Sequence, residues 1–129
     1  MINIIVFQCK AKSNPMATET HTFVHENITY TIYSGKSDKG NDKLLDDALP
    51  NDIWFHIANR PSAHIILSNP SATAINKIPR QIIKRCACIC KASAKVSEKC
   101  EIIYTERTNI TKTEKLGCVT TTNLRTITI

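Results

Sequence analysis

Glycine is scarce in this chain, with three residues in 129, at Gly35, Gly40 and Gly117. No P-loop or dinucleotide-binding glycine run can be traced, and the nucleophile elbow and the HExxH motif are also missing, so nothing in the sequence demands an enzyme. Long apolar runs are lacking as well. The segment Ile2 to Phe7 is interrupted by Asn3 and stops at Gln8, far short of the ~20 residues of a membrane span. It has no basic region ahead of it and does not resemble a secretory signal. The six cysteines (Cys9, Cys86, Cys88, Cys90, Cys100 and Cys118) therefore read as reduced thiols of a cytoplasmic protein rather than as a disulfide framework. There is no internal repeat, low-complexity tract, coiled-coil heptad or linker. A single domain over residues 1–129 is the expectation, at a length that can bury a core without staples.

What is present organises around Asp52 to Leu67, DIWFHIANRPSAHIIL, which holds the only tryptophan and two of the four histidines. Its apolar runs, Asp52 to Ala58 and Ala63 to Ser68, flank a polar link at Asn59 to Ser62, the pattern of two strands and a tight turn. This predicts a hairpin at the centre of a sheet. Ile2 to Lys10 reads as a strand and Ala11 to Thr20 as a loop. Thr22 to His25 and Ile28 to Tyr33 are β-branched and aromatic around a two-residue Glu26-Asn27 turn, a second hairpin. A surface loop is expected over Lys36 to Lys43, overlapping a short helix over 41–48 that Asn41 can cap and Pro50 stops. Pro79 is placed to open one long helix over 79–95. At about 100° per residue, Ile82, Ile83, Cys86, Ala87, Ile89, Cys90, Ser93 and Ala94 fall on one side and Arg80, Lys84, Lys91 and Lys95 on the other. Strand signals return at Glu101 to Thr105, Gly117 to Thr121 and Leu124 to Ile129, with an exposed loop from Glu106 to Leu116. The fold class is α+β, a mostly antiparallel sheet with the long helix on one face.

Charge is concentrated. The formal net charge is +6, and Lys77 to Lys99 holds seven basic residues against the single acid Glu98, which accounts for all of it. Such a stripe suits a polyanion, either nucleic acid or an acidic membrane surface, and is also what an ordinary soluble helix carries. Cys86, Cys88 and Cys90 do not make a metal site, because Cys88 points away from the other two on a helix and further ligands are missing. Buried thiols acting as small hydrophobes are the better reading.

Asp52, His56 and His64 could form an acid–base or metal constellation, since alternation puts Asp52, Trp54 and His56 on one strand face and a hairpin brings His64 near it. The competing reading is that these groups hydrogen-bond the backbone and one another to fix the hairpin. Trp54 is open to the same choice, as a stacking face if exposed or as core beside Phe55.

The motif Asn51-Asp-Ile-Trp-Phe-His56 followed by Ser62-Ala-His64 resembles the NFACT-R family. The resemblance also runs through Tyr30-Thr-Ile-Tyr-Ser-Gly35-Lys36, Asn41-Asp-Lys-Leu-Leu45, Ile78-Pro79, Lys91-Ala-Ser93, Ile103-Tyr104-Thr105, Asn109-Ile-Thr-Lys112 and Gly117-Cys-Val119. It covers about 100 of the 129 residues and is nearest the family's standalone branch, whose eukaryotic members continue into a charged helical tail. Ser62 stands where other family members often carry glycine. The resemblance implies a non-enzymatic domain that binds RNA or another nucleic acid, possible partners being a ribosome or a tRNA, within translation and ribosome-associated quality control. It implies no cofactor and no metal. The residues it marks are Asp52, Trp54, His56 and His64, with Lys36, Tyr104 and Lys112; charge adds Arg60, Arg80, Lys84, Lys91 and Lys95 as nucleic-acid contacts. A protein-interaction module of a translation complex and, further off, a metal-dependent nuclease or hydrolase are the alternatives.

Overall fold

A computed structural model describes residues 2–5 and 18–129. Along these, β1 (Ile2–Ile5), β2 (Thr18–His25) and β3 (Ile28–Gly35) precede α1 (Asp38–Asp47). Then come β4 (Ile53–Ile57), β5 (Ile65–Leu67), α2 (Arg80–Ser93), β6 (Glu101–Glu106), β7 (Ile110–Lys112), β8 (Val119–Thr122) and β9 (Arg125–Thr128). Six strands form one sheet in the order β2-β3-β5-β4-β6-β9 and three form a smaller one, β1-β8-β7, all antiparallel. The fold is α+β. Of the expected strand Ile2 to Lys10, residues 6–10 lie outside the described residues, as do residues 11–17 of the expected loop Ala11 to Thr20, whose Thr18 to Thr20 open β2 instead because they pair with Tyr33 to Gly35.

Both hairpins form. Glu26 and Asn27 take the left-handed conformation, φ 49° and 65°, as a two-residue turn between right-twisted strands requires. The central hairpin pairs Ile53 with Leu67 and Phe55 with Ile65, in the middle of the large sheet. Its connection is longer than the tight turn expected: it spans residues 58–64. Ser62 anchors this link, since its hydroxyl accepts from the Ile57 N–H (3.1 Å) and donates to the Ala63 carbonyl (3.1 Å).

The helices differ from expectation at their ends. Helix α1 starts at Asp38, because Ser37 caps it by accepting from the Gly40 N–H at 3.0 Å; Asn41 is inside the helix, and of the loop expected over Lys36 to Lys43 only Lys36 and Ser37 are connection. Helix α2 spans fewer residues than 79–95, with Pro79 as the N-cap. The Pro79 carbonyl accepts from the Ile82 N–H at 2.9 Å, and Lys95, at φ 55°, lies beyond the helix in the left-handed geometry that terminates one. The stretch read as loop from Glu106 to Leu116 contains β7, whose Ile110 is buried against the smaller sheet's neighbours.

Covering on one face gives way to covering on both. All five residues of β4 are buried. Ile53, Phe55 and Ile57 point into a core with Ile82, Ile83, Cys86 and Cys90 of α2. Trp54 points the other way, into a second core with Leu44 and Leu45 of α1, Ile103, Ile110 and Val119. A strand covered on both faces reads as a continuous apolar run, as IWFHI does.

Gly35 and Asn41 clamp the backbone of His64 from two sides. The Gly35 N–H donates to the His64 carbonyl at 3.0 Å, and the Asn41 Oδ1 accepts from the His64 N–H at 3.0 Å. A Cβ on Gly35 would land on the Asn41 carboxamide. Gly35→Ala is therefore expected to displace Asn41 and cost about 1–3 kcal/mol through the orphaned buried N–H, read as a lowered urea midpoint. An unchanged midpoint would contradict the close approach.

Candidate nucleic-acid interface

The signature residues of the central hairpin come together, but inside the protein. Trp54, His56 and His64 have no exposed surface. The His56 ring stacks on the indole at 5.8 Å, and the two imidazoles meet edge to face at 5.2 Å. The Trp54 Nε1–H donates to His64 Nδ1 at 3.1 Å, which leaves the His64 proton on Nε2, and His56 Nδ1 donates to the Ile57 carbonyl at 2.6 Å. His64 is thus a neutral imidazole, and His56 is kept neutral by burial, against the Ile57 hydrogen bond. Burial pushes the pKa of His56 down to about 4 and that of His64 well below the ordinary value, with His56 adding a smaller push on His64.

Asp52 does not complete a catalytic constellation with them. It is buried and its two oxygens accept from the Leu49 N–H (2.9 Å) and the Asn69 N–H (2.8 Å), tying the entry of β4 to the exit of β5. The described residues hold no group of three or more histidine, cysteine, aspartate or glutamate side chains able to hold a metal. The cysteines of α2 separate as helix geometry requires: Cys86 and Cys90 are buried and Cys88 is exposed. Burial pushes the Cys90 thiol up to about 12 and the Cys86 thiol up as well, so neither is a ready thiolate.

The cationic residues distribute over two faces. Helix α2 exposes Arg80, Lys84 and Arg85, adds Lys91, and carries no acid over its 14 residues. Lys91 Nζ donates to the Ile129 carbonyl at 3.1 Å. Arg60, on the 58–64 link, reaches Glu98 at 3.4 Å, and Lys95 is exposed just past the helix. Tyr104 of β6 stacks on Phe55 at 5.3 Å, half-buried on the α2 side of the sheet. Lys112 is on the far side, where its ammonium is shared by Asp42 (3.1 Å) and Asp46 (2.6 Å). That side is acidic, since α1 carries Asp38, Asp42, Asp46 and Asp47 against Lys39 and Lys43. The large sheet thus separates a basic face from an acidic one.

A cleft of about 580 Å³ opens on the basic side between β2, the 58–64 link and the last turns of α2. At its rim Lys36 pairs with Glu19 at 2.9 Å, and His21 lies 3.3 Å from the same carboxylate. The Lys36 ammonium holds the Glu19 carboxyl below the usual carboxylate range. Arg85, not singled out from the sequence, places its guanidinium 4.3 Å from the centroid of Phe23, two residues along β2 from His21. Its only sequence signal is its place within the basic stretch, because the strand it meets is remote in the chain.

Fold and surface together define a small antiparallel α+β domain with a polar interior hairpin and one basic face. The family comparison agrees: residues 19–122 match the NFACT protein RNA binding domain, and the chain belongs to that family, which supports a nucleic-acid-binding role. Among curated proteins it is similar to coiled-coil domain-containing protein 25 of Mus musculus, 36% identical over 88 residues, covering 66% of this chain and 42% of that protein. It is also similar to protein JLP2 of Saccharomyces cerevisiae, 32% identical over 89 residues, covering 64% and 43%. The chain spans less than half the length of these relatives. Among solved structures, the C-terminal part of the fibronectin/fibrinogen-binding protein from Streptococcus suis superposes with a TM-score of 0.74 at 19% identity, over 97% of this chain and 50% of that one; this likeness is one of fold. No described helix is long and apolar enough to cross a membrane.

Proposed function

We propose that this chain binds RNA without catalysing a reaction on it, through the face of α2, and that it does so as a cytoplasmic component acting with a ribosome or tRNA. The observation that carries the reading is the acid-free set of Arg80, Lys84 and Arg85, exposed, and Lys91, half-exposed, on the outer side of one helix. From Arg80 to Lys91 the helix rises about 16 Å, enough to meet several phosphates of one strand. Arg80, Lys84 and Lys91 fall within about 40° of one another around the axis, one row, with Arg85 on the opposite flank. The acidic face of α1 would repel the same polyanion, so the separation of charge orients the protein as well as attracting it. The buried histidines contribute by fixing the sheet on which α2 lies.

Three phosphate contacts on a single strand, from the row of Arg80, Lys84 and Lys91, give a slope of log K against log salt of about −2. Labelled RNA titrated by anisotropy at several salt concentrations is expected to show this. The double variant Arg80→Ala/Lys84→Ala should be shallower by about 1.4, with binding weakened at every sequence tested, because phosphate contacts carry no sequence information. Absent binding, or a slope indifferent to the substitutions, would refute the assignment of the α2 face.

A further inference from the structure

The cleft beside α2 has a size and chemistry that the phosphate-binding face does not explain. We infer that it receives one unstacked nucleotide of a single strand, and that it favours a base carrying an exocyclic amino group. This rests on the RNA-binding reading above and adds to it a base-recognition site.

The cleft's volume, about 580 Å³, lies within the range of small-ligand sites and accommodates a nucleotide. Its walls are apolar where a base would lie: Ala63 and Pro61 on the link, Ile89 and Ala92 on the helix. One cation stands at its rim and a second lies outside its lining. Lys36 is at one rim. Arg85 is one helical turn before Ile89 and is held over Phe23, the residue that follows His21 on the same face of β2. Phosphates on either side of an inserted base would meet these two charges.

The cleft holds acceptors as well as the His21 ring, which lies 3.3 Å from the Glu19 carboxylate. Glu19 presents a carboxylate to the cleft, and the last turn of α2 ends there, with its carbonyls carrying the negative end of the helix dipole. The Ser93 hydroxyl donates to the Cys90 carbonyl at 2.6 Å and accepts from the Ala63 N–H at 3.2 Å, so it is already committed. A phosphate in this position would face a carboxylate and a helix C-terminus. An amino group of adenine, cytosine or guanine would be accepted by a remaining lone pair of the Glu19 carboxylate, which Lys36 and His21 already engage, where uracil offers only its ring N3–H. The carbonyls of Cys90, Lys91 and Ala92 already accept within the protein.

Anisotropy with oligonucleotides of about twelve residues tests this: oligo(A), oligo(C), oligo(U) and an abasic ribose-phosphate strand, at one salt concentration. Oligo(A) and oligo(C) are expected to bind roughly tenfold more tightly than oligo(U), the worth of one charge-assisted hydrogen bond, and the abasic strand to bind weakest. Ala92→Trp, at an exposed wall position, fills the cleft and should bring the ratio to near unity. Glu19→Lys removes the acceptor from the surface and should also abolish the preference, so a folding defect in the first variant, seen by circular dichroism, leaves the second to decide. Equal binding of all four strands by the wild-type protein would overturn the cleft assignment while leaving RNA binding by α2 in place. A preference that survives Glu19→Lys would overturn it too, and failure of every strand to bind would overturn both readings.

Discussion

Between about pH 7.5 and pH 5 the folded state is expected to lose about 2 kcal/mol of stability through His56, and further stability through His64. In the unfolded chain both titrate near the ordinary value of about 6.5. In the folded protein His56 titrates at about 4 and His64 well below the ordinary value, burial being the main cause for each. The unfolded state therefore takes up two protons in this window that the folded state refuses, and stability falls as pH falls. It is fully present above the unfolded value and declines steadily below it, as each buried imidazole refuses a proton that the unfolded chain takes up. The structural reason is specific: protonating His64 Nδ1 removes the acceptor of the Trp54 N–H, and no exposed surface is available to solvate the charge. Urea unfolding followed by the single tryptophan, repeated across this window, measures the effect. His64→Gln, which keeps an acceptor for the indole, should halve the pH slope. Stability that is flat from pH 7.5 to pH 5 would show that the imidazoles are not held neutral.

That dependence also explains why the role of the histidines was ambiguous in the sequence. A histidine inside IWFHI, with a second one eight residues on, has the spacing of a catalytic or ligand pair, and local patterning cannot tell whether the face it occupies is covered. The cover comes from α1, β7 and β8, contributed by segments before and after the hairpin. β7 was illegible for the same reason. Ile110 is a lone apolar residue in a charged stretch, and only its pairing with Thr121 makes it a strand. The elements that could be read are those with local signals. The Glu26-Asn27 turn lies between β-branched runs, Pro79 precedes an amphipathic helix, and IWFHI and HIIL flank a polar link. Asn41 looked like a cap because it precedes a helical pattern; Ser37 has the same chemistry four residues earlier, and only the approach of the His64 backbone shows why an asparagine is needed inside the helix. Among the cationic residues the sequence places Lys112 with the others. Its two aspartate partners, on a helix some seventy residues earlier, assign it to the acidic face.

Trp54→Ala is expected to cost about 3–5 kcal/mol while leaving RNA binding by the remaining folded molecules unchanged. The indole is completely buried among Leu44, Leu45, Ile66, Ile103 and Val119, so truncation opens a cavity in the second core. It also strips His64 Nδ1 of its donor and His56 of the ring it stacks on, leaving two buried imidazoles bordering the void. The destabilisation should appear as a lowered urea midpoint by circular dichroism with little change in the denaturant slope. A stacking platform behaves differently: loss of base stacking costs about 1–3 kcal/mol of affinity per base in the folded protein, with little effect on folding. Measuring both quantities on one variant therefore separates the two roles that tryptophan has in nucleic-acid-binding folds. An affinity loss at a temperature where the variant is still folded would mean that the hairpin opens to present Trp54. An intact affinity would place recognition on the exterior, at α2 and the cleft beside it, with the Trp54, His56 and His64 cluster setting the position of the sheet that α2 covers.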